Sequence, residues 1–234
     1  MERMTAAVPG RLQRPLSFDL GLPAGTWNVE AALALEAGEI VVLTGPLGSG
    51  KTTLLRCLAG LVRPQKGHIQ AGSTALYDYH QQIDLPPWRR PLGVCLQGDT
   101  LFPHLSVAGN LRFGLRSRKA WADRVQPWVE AFGLGDLLGR LPGQLSGGQR
   151  QKVQLARTLA LDAQVLLLDE PFGVLDPDSH GAVARTLAEH IRASGRCALV
   201  VSHSPGDVEA LGAFEARLRN GWLGMAQPSL QVLP

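Results

Sequence analysis

The chain has 234 residues, 45% hydrophobic and 18% charged, with a formal net charge of +3. This is the balance of a globular protein long enough to bury a substantial core. No stretch approaches the ~18 apolar residues of a membrane span, and the arginines and lysines are too scattered to indicate a nucleic-acid partner.

In chain order, the opening MERMTAAVPGRLQRPL is broken by arginine and proline before the apolar core of a secretory signal develops, so a cytoplasmic location is expected. Alternation in TWNVEAAL predicts a half-buried antiparallel strand before residue 40. EIVVLTG, at 39–45, is apolar at nearly every position, as suits a parallel strand covered on both faces. A helix is predicted over KTTLLRCLAGL, 51–61, and after a proline GHIQAG reads as another half-buried strand. LGVCLQ (92–97), QVLLLDE (164–170) and CALVVSH (197–203) repeat the buried-strand pattern, and HGAVARTLAEHIRA (180–193) is helical. The whole is an α/β layout. Cys57, Cys95 and Cys197 are odd in number, widely spaced and set in apolar sequence, as expected of reduced core thiols.

Between residues 98 and 158 the patterning is helical with several glycines and no convincing buried strand. Trp121, Val125, Trp128, Val129 and Phe132 fall on one helical stripe, read as the core of a helical lobe, with Pro127 bending or beginning a helix. The division is therefore 1–97 with 159–234 as a catalytic lobe and 98–158 as an inserted helical subdomain.

Chemistry concentrates at three places. Gly45, Pro46, Leu47, Gly48, Ser49, Gly50, Lys51, Thr52 and Thr53 fit the phosphate-loop pattern, with a strand running in and a helix running out. Its glycines let backbone amides and a helix start face phosphates; Lys51 can reach the β- and γ-phosphates and Thr52 can ligate magnesium. Asp169 and Glu170 end an apolar strand, where the first can hold magnesium or its water and the second can act as general base. In LSGGQ, Ser146, Gly147 and Gly148 open a helix-like run without side chains that would block close approach, so its amides and positive dipole end suit an anion.

With a glutamine ending a strand at Gln97, GVLD at 173–176 and VSH ending at His203, these motifs occur in the order found in the nucleotide-binding subunits of ABC transporters. The chain resembles that family over nearly its full length. The resemblance implies an α/β phosphate-loop ATPase core with a mixed, mainly parallel sheet, N-terminal antiparallel strands and an inserted helical subdomain. It implies ATP and Mg²⁺ as ligands and a head-to-tail dimer, in which Ser146 to Gln149 of one copy touch the γ-phosphate held by the other. It also implies that Gln97 senses magnesium and the attacking water, that His203 contacts the γ-phosphate and that Asp176 lies across the dimer seam. An upstream aromatic residue stacks on adenine in the family; Trp27 takes that place here, with Phe18 as alternative.

Departures from the family pattern are Leu47 where a small polar residue is frequent, Gly173 and Val174 in place of Ser-Ala, and Lys152 where arginine is common; none removes a charged or water-activating group. The run PPWRRPLGVCLQGDTLFPHLSVAGNLRFGL, 86–115, is similar to importer ATPases that work with integral membrane permease subunits and an external substrate-binding protein. Together with RPQKGHI and LPGQLSGG it is most similar to molybdate and tungstate importers; sulfate, ferric iron, polyamine and sugar systems are the alternatives. A transport-only subunit, peripheral on the cytoplasmic face of the membrane and without an appended regulatory domain, is implied. A soluble ABC-type ATPase acting on DNA or ribosomes would carry two cassettes or long coiled-coil insertions. A catalytically dead subunit would lack Glu170 or His203, both of which are present.

Overall fold

The computed structural model describes residues 14–24, 27–98, 100–115 and 120–225. Its strands are β1 (Leu16–Ala24), β2 (Trp27–Leu35), β3 (Ile40–Thr44), β4 (Lys66–Ala71), β5 (Thr74–Asp78), β6 (Ile83–Asp84), β7 (Leu92–Cys95), β8 (Val165–Asp169), β9 (Cys197–Val201), β10 (Phe214–Arg219) and β11 (Trp222–Met225). The helices are α1 (Lys51–Leu58), α2 (Val107–Arg112), α3 (Ala120–Arg124), α4 (Gln126–Ala131), α5 (Gly147–Leu159), α6 (Pro177–Ser194) and α7 (Gly206–Leu211). The strands form one sheet in the order β6-β5-β4-β1-β2-β11-β10-β3-β9-β8-β7.

The near-continuous apolar runs follow from a sheet covered on both sides. Ile40, Val42, Leu166, Leu168, Ala198 and Val200 point into a core shared with α5, α6 and the 98–158 segment. Their neighbours Val41, Leu43, Val165, Leu167, Leu199 and Val201 point the other way, against α1 and the antiparallel strands. With successive side chains on opposite faces, both sets must be apolar, each large side chain contributing about 1.5–3 kcal/mol on burial. Strands β10, β3, β9, β8 and β7 are mutually parallel, whereas β1, β2, β4, β5 and β6 form an antiparallel wing.

Among the described residues, 98–158 holds α2, α3, α4 and nearly all of α5, with no strand. Val125, Trp128, Val129 and Phe132 are buried there with Trp121 packed against them, and Pro127 sits in the first turn of α4. The three cysteines are free and buried, and burial raises each thiol, Cys197 to about 12. Strands β1, β5, β6, β10 and β11 are additions to the stretches named from the sequence. Phe18 is buried, facing Leu33 and Ile69 in the antiparallel wing, and has no open face for a base. No helix among the described residues is long and apolar enough to cross a membrane.

Candidate functional site

The parallel strands β3, β8 and β9 end side by side, and Lys51, Asp169, Glu170 and His203 lie at or just beyond those ends, whereas Asp176 caps α6. Chain leaving β3 turns through Gly45, whose φ of 145° puts its α-carbon against the Leu218 carbonyl; a β-carbon there would lie 2.2 Å from that oxygen. Gly48 and Gly50 also take positive φ, and Gly50 is the N-cap of α1. The loop thus wraps without side-chain obstruction, its Leu47 almost wholly exposed at 89%. Lys51 is 4% exposed and folds back, donating to the Gly45 and Pro46 carbonyls at 2.8 and 2.9 Å. Burial holds its ammonium below the usual lysine value, opposed by the nearby charges of Glu170 and Asp169.

Thr52, on α1, faces Asp169 at the end of β8, with its hydroxyl 3.4 Å from Oδ1. Asp169 is buried and its second oxygen, Oδ2, has no hydrogen-bond partner. Desolvation pushes this carboxyl above the ordinary carboxylate range, the Thr52 hydrogen bond pulling the other way. An orphaned buried carboxylate oxygen beside a threonine hydroxyl fits magnesium, a hard cation bound by few protein oxygens and completed by phosphate and water. No cluster of three or more His, Cys, Asp or Glu suited to a metal occurs among the described residues.

Glu170 departs from the strand at φ 49°, a strained conformation for a side-chain-bearing residue, while its amide still bonds the Val201 carbonyl on β9 at 2.9 Å. The turn brings its Oε1 to 3.0 Å from His203 Nε2 just beyond β9. Gln97, past the end of β7, lines a cavity of about 240 Å³ with Glu170, Gly147, Gln154 and Val174. Gly45, Pro46 and His203 line a second, wider opening. The structure therefore groups Lys51, Thr52, Asp169, Glu170 and His203 directly, and joins Gln97 and Gly147 to them through the Glu170 cavity.

Ser146 is the N-cap of α5, its hydroxyl accepting from the Gln149 amide at 3.2 Å while Gln149 Oε1 accepts from the Ser146 amide at 2.9 Å. This reciprocal capping leaves Gly147, at the exposed helix start, with its backbone uncovered. Asp176 caps α6 by accepting from the Ser179 amide at 2.9 Å, which holds its carboxyl below the ordinary carboxylate value. Lys152 donates to the Ser179 hydroxyl at 3.0 Å, and Val174 is 59% exposed beside Gly147. Trp27 begins β2, and its side chain lies outside the described residues. Sequence reasoning missed the role of β10: Leu218 braces Gly45, and Glu215 accepts from the Thr44 hydroxyl at 2.6 Å. The alternation in FEARLR is the signal that could have found it.

A glycine loop between β3 and α1, a threonine–aspartate pair for a metal and a glutamate–histidine pair define a phosphate-loop nucleotide-binding protein. Residues 30–173 match the family model for ABC transporters. The chain is 38% identical over 219 residues to the Molybdenum import ATP-binding protein ModC of Mesorhizobium japonicum, covering 92% of this chain and 58% of that protein. It is 40% identical over 191 residues to the Thiamine import ATP-binding protein ThiQ of Aliivibrio fischeri, covering 80% and 79%. A solved structure of the ATP-binding subunit of an ABC transporter superposes with a TM-score of 0.77 at 26% identity, over 90% of this chain and 89% of the other. The chain belongs to the ABC transporter family, and it spans about three fifths of the length of the molybdenum-import relatives it matches.

Proposed function

We propose that this chain is the ATP-hydrolysing subunit of an importer, working as a head-to-tail pair on the cytoplasmic face of a membrane. Lys51 would leave the loop carbonyls for the β- and γ-phosphates, while Thr52 and Asp169 would hold the magnesium that neutralises them. Glu170 would take a proton from the attacking water, and His203 would orient Glu170 and reach the γ-phosphate. Gln97 would join this water network from the helical side, and Trp27 would carry the base. The lid is the backbone of Ser146, Gly147, Gly148 and Gln149 from the second copy, with Asp176 at the seam. The single observation carrying the reading is the orphaned Asp169 Oδ2 beside Thr52, one residue from the Glu170–His203 contact.

An apolar groove of about 390 Å³, lined by Leu61, Trp88, Leu96 and Arg157, adjoins the segment after Gln97. Trp88 is 83% exposed there. It is the surface on which helices of membrane permease subunits would sit, close to Phe102–Val107, so that closure of the pair moves them. Residues 98–158 act in this scheme as the inserted subdomain that carries the lid. Cargo would be read by the permease and an external binding protein. An oxyanion of the molybdate or tungstate class is favoured by the molybdenum-import relatives, with thiamine the competing reading from the other relative.

Two measurements test this. Specific ATPase activity should fall on dilution as the pair separates; a rate that stays constant in a proven monomer removes the shared-lid mechanism. Thermal-shift screening of the partner binding protein should show protection by molybdate or tungstate; protection by thiamine, ferric ion or polyamine alone overturns the cargo assignment.

A further inference from the structure

Behind His203 lies a polar chain that the scheme above does not use. Ser202, between β9 and His203, is buried; its hydroxyl donates to Asp207 Oδ2 and accepts from the Ser204 amide at 2.9 Å. Those two bonds pin the backbone on both sides of His203. Asp207, in the first turn of α7, is 3% exposed, and its Oδ1 lies 2.7 Å from Nε2 of His180 in the first turn of α6. The approach is off the line of a good hydrogen bond, since Oδ1 makes none. The His180 ring stacks on Phe172, 5.1 Å between centroids at 23°, and Phe172 is buried two residues beyond Glu170. The chain of contacts therefore closes a loop from Glu170 through Phe172, His180, Asp207 and Ser202 to His203.

A buried carboxylate demands partners for both oxygens; the Ser202 hydroxyl satisfies Oδ2, and the His180 imidazole is the group that stands against the unbonded Oδ1. We propose that His180 and Asp207 are positioning residues: they fix Ser202, and through it the His203 loop, to the start of α6, so that His203 is aligned with Glu170 only when α6 is correctly placed. Because α6 is capped by Asp176, the residue assigned to the dimer seam, the chain gives His203 a mechanical link to that seam. The His180–Asp207 contact is the joint of this link, the place where α6 meets the support of the His203 loop. This inference rests on the reading of Glu170 and His203 as the hydrolytic pair.

The test compares ATP turnover, nucleotide affinity and melting temperature of the full chain with those of His203→Ala, His180→Ala, His180→Gln, Ser202→Ala and the His180→Ala/Ser202→Ala double variant. His180→Ala is expected to lower kcat about tenfold while KM and nucleotide Kd stay within about twofold, the signature of lost alignment without lost binding. His180→Gln, whose amide offers the carboxylate a donor in place of the imidazole, should recover kcat to within about threefold of the wild type. Ser202→Ala should match His180→Ala, and the double variant should be no worse, because both cuts break one chain. An unchanged kcat in His180→Ala, no recovery with glutamine, or losses that multiply in the double variant overturn the proposal; should His180→Ala not fold, the glutamine and serine variants decide it. If His203→Ala is inactive while His180→Ala is normal, only this inference fails. Turnover untouched by His203→Ala sinks the hydrolytic reading and this inference with it.

Discussion

Glu170 Oε1 and His203 Nε2 stand 3.0 Å apart, one at the turn leaving β8 and the other just past the end of β9. Sheet register brings the two chains out together: Asp169 is paired with Val201, and Glu170 follows one residue beyond that pair and His203 two residues beyond it. The positive φ of Glu170 is the cost of swinging its carboxylate toward the histidine without breaking the amide bond to Val201. Glu170→Gln keeps this shape and removes the base. It should lower ATP turnover by about 10²–10⁴-fold with nucleotide affinity retained, and ATP should then trap a dimer on size-exclusion light scattering. Turnover within a few-fold of wild type would assign the base elsewhere.

Asp169 sets stability against activity. Burial raises its carboxyl above the ordinary range. A folded value above the unfolded one means that the associated stability is full below the ordinary carboxylate range and is lost as pH rises through the raised value. At neutral pH the protein without metal therefore carries an unfavourable buried charge, which Asp169→Asn removes. In EDTA the variant should melt above wild type at pH 7, by about 2–4 °C for each kcal/mol relieved, with the gap narrowing in acid. Adding Mg²⁺ and ATP should reverse the order, because only the wild type gains the full ion contact. A variant that melts lower in EDTA gives Asp169 a structural role instead.

The phosphate loop makes a second stability prediction, with two glycines as mutual controls. Gly45→Ala places a methyl group 2.2 Å from the Leu218 carbonyl at a φ of 145°, so backbone must move. Gly48→Ala also meets an unfavourable φ, 75°, but no atom within 4 Å. Strain of about 1–3 kcal/mol is expected at either site, with the clash added only at Gly45. Urea unfolding should rank wild type above Gly48→Ala and Gly48→Ala above Gly45→Ala; equal losses would mean that β10 yields freely.

What the sequence made legible was whatever burial on two faces, or a loop chemistry, had written into consecutive residues. Val41 and Val42 are both apolar because they enter opposite cores, so β3 announces itself. In β10, by contrast, only Ala216 and Leu218 are buried, among the half-buried Glu215 and the exposed Arg217 and Arg219, and the strand that braces Gly45 is easily passed over. In β1 the apolar Leu16, Phe18, Leu20 and Leu22 alternate with Ser17, Asp19 and Gly21, a pattern that puts Phe18 on the covered face, where the structure buries it. The phosphate loop, Asp169 and Glu170 are likewise local patterns. His180 and Asp207 are not, since they meet only through the packing of α6 on α7.

Gly147 separates folding from function most sharply. A β-carbon there would be 4.0 Å from the Val174 side chain, an ordinary contact, and the residue opens α5 at an exposed helix start. Aspartate at this position faces the positive end of the helix dipole, which favours it by about 0.3–1 kcal/mol. The same carboxylate would meet the γ-phosphate across the proposed seam, where like charges in a partly dry contact repel. Gly147→Asp should therefore melt at or above the wild-type temperature, bind nucleotide in its own phosphate loop with unchanged affinity, and lose ATP-driven dimerisation and turnover together. Placing the change in the Glu170→Gln background lets light scattering read dimerisation without hydrolysis. A double variant that still dimerises with ATP would mean that the start of α5 does not cover the partner's nucleotide.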